Sequence, residues 1–348
     1  MLEQIASDEV LEAAYQWLCD KPAHHHFNAD VWQVRRWWHE KKPMLQQLLL
    51  SGSYQFRELR LFRGEDRRIE CWSSMDALVL KAIAIVLGEH LKPHLSQRCF
   101  NVAGNGGMKA AVREVGANLS NYQFVFRTDV KGYYASINHH ILMEQVGQYV
   151  EDDAVKALLW GYLRRYVSDG GNYLDITQGI SLGCPLSPLM GALYLKPLDD
   201  RLAALLGGVG SGLGCFYVRY VDDWVILAPT RWKLRKAIKA VNEVMADLLV
   251  EKHPDNTFIG RIARGFEFLG YWFDTTGVGV AQKTVDRMMA KVTQLYERGA
   301  SVGRIGDYLR RWVGWVKGGL WGCCCRVGLL VVVVSFGLWV DHTLHPTL

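Results

Sequence analysis

With 348 residues, half of them hydrophobic and 22% charged, the chain is too apolar for a disordered segment and long enough for a multi-lobed protein with a substantial core. A formal net charge of +5 is modest, which excludes nucleic-acid binding through a global positive field and leaves that task to local patches. Eight cysteines without paired metal-ligand spacing exclude a disulfide scaffold or a structural zinc site and point to reduced thiols in the cytosol.

Met1 to Asp20 is charged and amphipathic, unlike a secretory leader, so a cytoplasmic protein without membrane contact is expected. His24-His25-His26 reads as a surface turn. Between Val31 and Lys42, Trp32, Trp37 and Trp38 alternate with Arg35 and Arg36, a pattern that suits either RNA stacking or a core-facing helix. Arg57 to Glu70 predicts a hairpin turning at Gly64, where Arg63, Arg67 and Arg68 are interspersed with Glu65, Asp66 and Glu70. The glycine-rich run Asn101 to Arg113 departs from the Walker pattern and is weak evidence for a phosphate loop by itself.

Phe124-Val125-Phe126-Arg127-Thr128-Asp129 predicts a strand ending in a carboxylate. Gln178-Gly179-Ile180-Ser181-Leu182-Gly183-Cys184-Pro185-Leu186-Ser187-Pro188 leads into an apolar helical stretch through Leu195, with the prolines fitting a rigid helix entry. Phe216-Tyr217-Val218-Arg219-Tyr220-Val221-Asp222-Asp223-Trp224-Val225-Ile226-Leu227-Ala228 predicts a β-hairpin holding two acids at its tip. Asp is also an ordinary turn residue. Two carboxylates with nothing to neutralise them repel each other, however, and a hard divalent cation removes that penalty. If the strand ending in Asp129 lies beside this hairpin, Asp129, Asp222 and Asp223 form the ligand set of a two-metal clamp on phosphoryl transfer.

Leu248 to Thr257 offers Lys252 and His253 as proton donors. Gly265 to Phe273 predicts another hairpin, and Thr284 to Lys317 turns helical, with apolar positions at three- and four-residue intervals and Arg287, Lys291, Arg304, Arg310, Arg311 and Lys317 as a basic face. The apolar tail Val327 to Val340 is short for a membrane span and is expected to pack within the protein or its assembly.

In this order, the acidic strand with Tyr133 and Tyr134, the segment Gln178 to Pro188 and Tyr220-Val221-Asp222-Asp223 resemble the palm of a reverse transcriptase. The bacterial lineage of group II intron proteins, retrons, diversity-generating retroelements and defence-associated enzymes is the nearest match, over about Leu59 to Lys317. The resemblance implies an α+β, right-hand polymerase: N-terminal extension and fingers over 1–115, a palm of antiparallel sheet plus helices over 116–275, a helical thumb over 276–320 and the apolar tail over 321–348. It implies RNA-directed DNA polymerase activity with Mg²⁺, or Mn²⁺ in its place. Asp129, Asp222, Asp223 and the Val130 carbonyl are the implied metal ligands. Arg67, Arg68, Tyr134, Gln178 and Gly179 are the implied dNTP contacts, Tyr134 excluding the ribose 2′-hydroxyl by its bulk. Lys109, Arg113, Leu269, Gly270 and Tyr271 are implied to hold primer and template. Relatives carry a lysine just before a threonine where this chain has Asn256 before Thr257, so Lys252 is the expected substitute acid, with His253 second.

The partners implied are an RNA template, a dedicated non-coding RNA by preference, together with dNTPs and the DNA product; a protein partner or a homo-oligomer stays open. Antiphage defence is the preferred role, since no endonuclease domain and only a token maturase region follow the thumb. A diversity-generating or intron-type enzyme, untemplated or protein-primed synthesis, and a non-catalytic RNA-binding palm scaffold are the alternatives.

Overall fold

The computed structural model describes residues 1–20, 29–63, 68–169, 172–206 and 214–320. His24, His25, His26, Gly64, Arg67 and the tail from 321 onward lie outside them, as do the side chains of Arg63 and Arg68.

The chain opens with helices α1 (Leu2–Ile5), α2 (Asp8–Cys19), α3 (Asp30–Arg36) and α4 (Trp38–Leu50). The hairpin β1 (Leu59–Arg63) and β2 (Arg68–Cys71) follows, then α5 (Ser74–Leu91) and α6 (Gly107–Asn118). After β3 (Phe124–Thr128) come α7 (Tyr133–Ser136), α8 (His139–Gly147), α9 (Asp153–Leu163), β4 (Tyr166–Asp169), β5 (Asn172–Asp175), α10 (Ser187–Tyr194) and α11 (Lys196–Leu206). β6 (Phe216–Tyr220) and β7 (Asp223–Ala228) precede α12 (Arg231–Asp247) and β8 (Phe258–Arg261). The described chain ends with β9 (Phe266–Phe268), β10 (Tyr271–Asp274), β11 (Gly277–Val280), α13 (Gln282–Glu297) and α14 (Val302–Leu320).

These elements fall into two compact units that the chain visits alternately: 1–96 with 131–197 and 245–251, and 97–130 with 198–244 and 252–348. In the first unit α5 is apolar on nearly every face, so it is buried among α1, α2 and α3. Its N-terminus is fixed by Ser73, whose hydroxyl accepts from the Asp76 amide at 3.1 Å, while Tyr54 and Ser73 donate to the buried Asp76 carboxylate, each at 2.6 Å. Trp38 is core, stacked on Tyr15 at 4.7 Å, whereas Trp32 and Trp37 are exposed beneath Arg35 and Arg36. The aromatic and basic segment thus divides between both sequence readings. The sheet of this unit runs β2-β1-β4-β5, with β1 antiparallel to β2 and parallel to β4.

The second unit carries an antiparallel sheet in the order β6-β7-β3-β8 and a smaller one in the order β11-β10-β9. Strands β6 and β7 are buried along nearly their whole length, so their sequences show no polar alternation, and Arg219 within β6 is itself buried. The core continues through α6, Phe266, Phe268, Tyr271 and Phe273 to Val316 and Leu320 of α14. Among the described residues, no helix is long and apolar enough to cross a membrane.

Candidate active site

Three clusters contain the residues singled out from the sequence. The first forms at one end of the sheet β6-β7-β3-β8. Register places Tyr220 opposite Asp223 and Thr128 opposite Trp224, so Asp129, one residue beyond Thr128, comes beside the β6–β7 turn. That turn has two residues, Val221 and Asp222. Val221 adopts φ 57°, the first central position of a type II′ hairpin, where glycine is the usual occupant.

The carboxylates share an electrostatic field. Burial pushes Asp222 up to about 6, with the Asp129 charge adding and Arg219 opposing. Burial likewise pushes Asp223 up to about 7; Arg127 opposes, and the charges of Asp129, Asp222 and Glu267 add. Arg127 lies 3.5 Å from the Asp223 carboxylate and donates to the Asn256 carbonyl at 3.0 Å. Asn256 donates from Nδ2 to Asp129 Oδ2 at 2.8 Å, and the His253 amide to the Asp129 carbonyl at 2.9 Å. The asparagine standing where relatives carry lysine thus orients the first carboxylate.

Oδ1 of Asp129 and Oδ1 of Asp223 are buried without a hydrogen-bond partner. Among the described residues, no group of three or more His, Cys, Asp or Glu side chains is arranged to hold a metal ion as it stands. Mg²⁺, however, seldom occupies an all-protein cage; it takes one or two carboxylates and completes its octahedron with water and phosphate. A buried Asp129 oxygen without a hydrogen bond, beside Asp222 and Asp223 whose proton affinity burial raises, fits such an ion. Val130 pairs with Lys252 in a single antiparallel bridge whose bonds run to the Asp129 carbonyl and the Lys131 amide, leaving the Val130 carbonyl out of that pairing. Lys252 itself donates from Nζ to Asn242 at 2.7 Å.

The second cluster lies in the first unit. Tyr133 and Tyr134 stack at 5.4 Å, and Tyr133 donates to the Gly191 carbonyl of α10. A Cβ at Gly191 would come within 3.0 Å of the Tyr134 ring, so this glycine admits the pair. Gly179 has φ 84°, and a Cβ there would meet the Ala135 carbonyl at 2.9 Å. The Gly179 carbonyl accepts from Arg165 at 3.0 Å and faces His139 Nε2 at 2.8 Å. Arg165 is buried and makes a bidentate pair with Glu70, with bonds of 2.9 and 3.2 Å. Glu70, at the end of the hairpin read from the sequence, is therefore the partner that holds Arg165 against the Gly179 carbonyl. Gln178 donates to the Ser136 carbonyl at 3.0 Å. Arg68 contributes the backbone pairing of β2 with Arg63.

The third cluster joins α6 and β10 to α14. Lys109, expected on a phosphate, donates to the Tyr271 hydroxyl at 2.6 Å and sits 3.6 Å above the Trp315 ring; burial and neighbouring Arg113 depress it to about 8. Arg113 donates to the Gly318 carbonyl at 2.8 Å. Tyr271 is buried and donates to the Trp315 carbonyl at 2.9 Å. Leu269 and Gly270 form the β9–β10 turn, both at positive φ, and the Gly270 carbonyl is held by Thr284 Oγ1 at 3.0 Å. The physical reason is amphipathic length: α14 needs a polar anchor as well as an apolar face, and these side chains supply it.

A profile of the family described as Reverse transcriptase (RNA-dependent DNA polymerase) matches residues 66–273, more than half of the chain. The chain belongs to the reverse transcriptase family. Among similar proteins, Protein YkfC of Escherichia coli (strain K12) is 22% identical over 269 residues, 66% of this chain and 70% of that protein. The Putative COX1/OXI3 intron 1 protein of Saccharomyces cerevisiae is 20% identical over 158 residues, 44% of this chain and 19% of that protein. The Group II intron-encoded protein LtrA of Lactococcus lactis subsp. cremoris is 22% identical over 130 residues, 37% of this chain and 22% of that protein. This reverse transcriptase chain thus spans about a fifth of the two intron proteins. A solved structure, the Partial Cas6-RT-Cas1--Cas2 complex, aligns with 71% of this chain and 41% of its own at 18% identity and a TM-score of 0.43.

Sequence reasoning missed Arg127, Asn256, Arg165 and Glu70 as contributors to these clusters. The signal for Arg127 was present: a cation inside an otherwise apolar strand, two residues before a carboxylate.

Proposed function

We propose that this reverse transcriptase synthesises DNA on an RNA template with two Mg²⁺ ions held by Asp129, Asp222, Asp223 and the Val130 carbonyl. The observation that carries the proposal is that, within a family-matched sheet, Asp129 Oδ1 is buried with no hydrogen-bond partner and Asp223 Oδ1 is buried with no hydrogen bond and only the Arg127 guanidinium at 3.5 Å. Bound divalent ions supply a lowered pKa at the attacking hydroxyl and charge neutralisation on the departing pyrophosphate. The protein's own part is positional. Asn256 fixes the Asp129 carboxylate, Arg127 keeps Asp223 from carrying an uncompensated charge, and the II′ turn sets the direction of Asp222. Lys252, which gives one of its three N–H donors to Asn242, is the proposed proton donor.

Tyr134, immobilised by stacking and by the close approach of Gly191, is proposed to exclude ribonucleotides, with Gln178 and Gly179 contacting the incoming nucleotide and Arg67 and Arg68 its triphosphate. Tyr134→Ala is expected to raise ribonucleotide incorporation on the order of tenfold or more, because removing a steric block costs the competing substrate nothing; single-nucleotide incorporation with dNTP and NTP measures it. The division into fingers, palm, thumb and tail at 115, 275 and 320 is retained as part of the proposal, as is a cytoplasmic location.

The proposed biology is copying of a dedicated non-coding RNA in antiphage defence. Its support is the Gln178 to Pro188 pattern, from which diversity-generating relatives often depart. Sequencing of RNA and DNA co-purified with the protein and with Asp222→Ala/Asp223→Ala tests it. One abundant small RNA with complementary DNA only in the wild type is expected. Bound RNA with no DNA in either form contradicts the reading and favours a non-catalytic scaffold.

A further inference from the structure

Val221 is a β-branched residue at φ 57°, immediately before Asp222. Such a residue leaves the left-handed region unless its surroundings over-determine it. Both of its backbone polar groups are held. Its amide donates to Asn101 Oδ1 at 2.9 Å, and its carbonyl accepts from Arg219 Nη1 at 2.7 Å. The amide bond requires the oxygen of Asn101 to face Val221, which leaves Asn101 Nδ2 buried without a partner.

Arg219 is wholly buried and cannot rotate. Its Nε donates to Asp199 Oδ1 at 2.9 Å, its Nη2 to Asp199 Oδ2, and Tyr217 donates to the same carboxylate at 2.7 Å. Its backbone is pinned as well, the amide to the Arg98 carbonyl at 2.9 Å and the carbonyl to the Phe100 amide at 2.8 Å. Residues 98–101 therefore grip β6 by its edge and the turn by its tip. A buried ion pair adds little over an apolar pair of equal volume. What the apolar pair cannot provide is the further bond to the Val221 carbonyl.

We propose that Arg219, oriented by Asp199 and Tyr217, and Asn101 are positioning residues that hold Val221 left-handed and thereby aim the Asp222 carboxylate. The inference rests on the polymerase reading above. Rotation about the Val221 backbone is the one local freedom that would swing Asp222 while leaving β6 and β7 paired.

The test uses the full chain in four variants: Asn101→Ala, Val221→Gly, Asn101→Ala/Val221→Gly and Asp199→Leu/Arg219→Met. Primer extension gives kcat, KM and the Mg²⁺ half-saturation point; thermal melting reports folding. Misplacement of a reacting group by about 1 Å costs on the order of a hundredfold, so Asn101→Ala is expected to lower kcat about tenfold or more, with KM for dNTP within about twofold and the melting temperature little changed. Glycine occupies positive φ without strain, so adding Val221→Gly is expected to recover several-fold of that loss. Asp199→Leu/Arg219→Met, chosen because removing one partner alone endangers folding, is expected to melt as the wild type does and to lose about a hundredfold in kcat. The proposal is overturned if either folded variant retains wild-type kcat, or if Val221→Gly recovers nothing. If the wild type itself makes no DNA, the polymerase reading fails and the clamp is read by hydrogen exchange over 216–228. Faster exchange in Asn101→Ala supports it there, and unchanged exchange refutes it.

Discussion

The carboxylate end of the β6-β7-β3-β8 sheet and the Lys109–Tyr271–Trp315 cluster belong to the same unit, and both put charge below the surface. They treat it in opposite ways. Around Lys109 the ammonium is satisfied by a phenolic oxygen and an indole face, and the Tyr271 hydroxyl donates a hydrogen bond to a helix carbonyl. At the carboxylates, Asp129 Oδ1 has no hydrogen-bond partner, Asp223 Oδ1 has only the Arg127 guanidinium at 3.5 Å, and the Asp222 and Asp223 carboxyls hold their protons to about 6 and 7. A buried polar group left unsatisfied is costly to folding, so the first region reads as architecture, while the second fits the metal-binding role proposed for it. Of two equally basic-looking or acidic-looking motifs, partner accounting separates the one that holds the fold from the one that works.

The largest expected effect is on the carboxylates. Asp222→Asn/Asp223→Asn is expected to reduce DNA synthesis on the order of a thousandfold or more, since electrostatic stabilisation carries most of phosphoryl transfer, while the protein folds at least as well. The sign of the pH dependence follows from the raised values. Folded carboxyls titrating near 6 and 7 bind more protons than unfolded ones titrating near 4. Their stabilising contribution is therefore complete below about pH 4 and is lost as pH rises through 6 and 7. Denaturant titrations in the absence of divalent ions should show the wild type losing stability relative to the double Asn variant across that window, and Mg²⁺ or Mn²⁺ should restore it to the wild type alone. An unchanged gap across the window would break the contrast between the two regions.

Next in size is Glu70→Ala, which leaves Arg165 buried and uncompensated and is expected to destabilise the protein by about 3–5 kcal/mol in denaturant titration. In the satisfied region, Gly319→Ala brings a Cβ to 2.4 Å from the Tyr271 ring; overpacking of this kind costs about 1–3 kcal/mol and shows as a lowered melting temperature. Smallest is Lys109→Met, expected to leave kcat within about threefold and to change stability by about 1 kcal/mol. Because the folded Lys109 titrates near 8 and the unfolded one near 10.4, the fold binds fewer protons between those values. Wild-type stability should gain relative to the variant as pH rises through that interval. A hundredfold loss of kcat in Lys109→Met would return this lysine to the nucleic-acid contacts and erase the distinction.

Much of this was legible in the sequence, because short-range patterns carry it. The apolar runs of β6 and β7 announced strands, and the Asp222-Asp223 pair announced their turn. Partnerships across long separations were not legible. Arg165 meets Glu70 across 95 residues, Asn256 meets Asp129 across 127 and Asn101 meets Val221 across 120. No periodicity encodes such pairs; only the register of the finished sheets does. The indole beside Lys109 was not legible either, since a cation beside glycines looks the same whether a phosphate or an indole ring lies next to it.

The most direct test of the central claim is extension of a primer on a defined RNA template by purified full chain, with Mg²⁺ present or chelated, beside Asp222→Ala/Asp223→Ala. The account predicts template-directed DNA synthesis by the wild type with Mg²⁺ and none in the other three conditions. Equal extension by the variant, or extension that survives chelation, would contradict the assignment of Asp222 and Asp223 as the metal-binding catalytic pair.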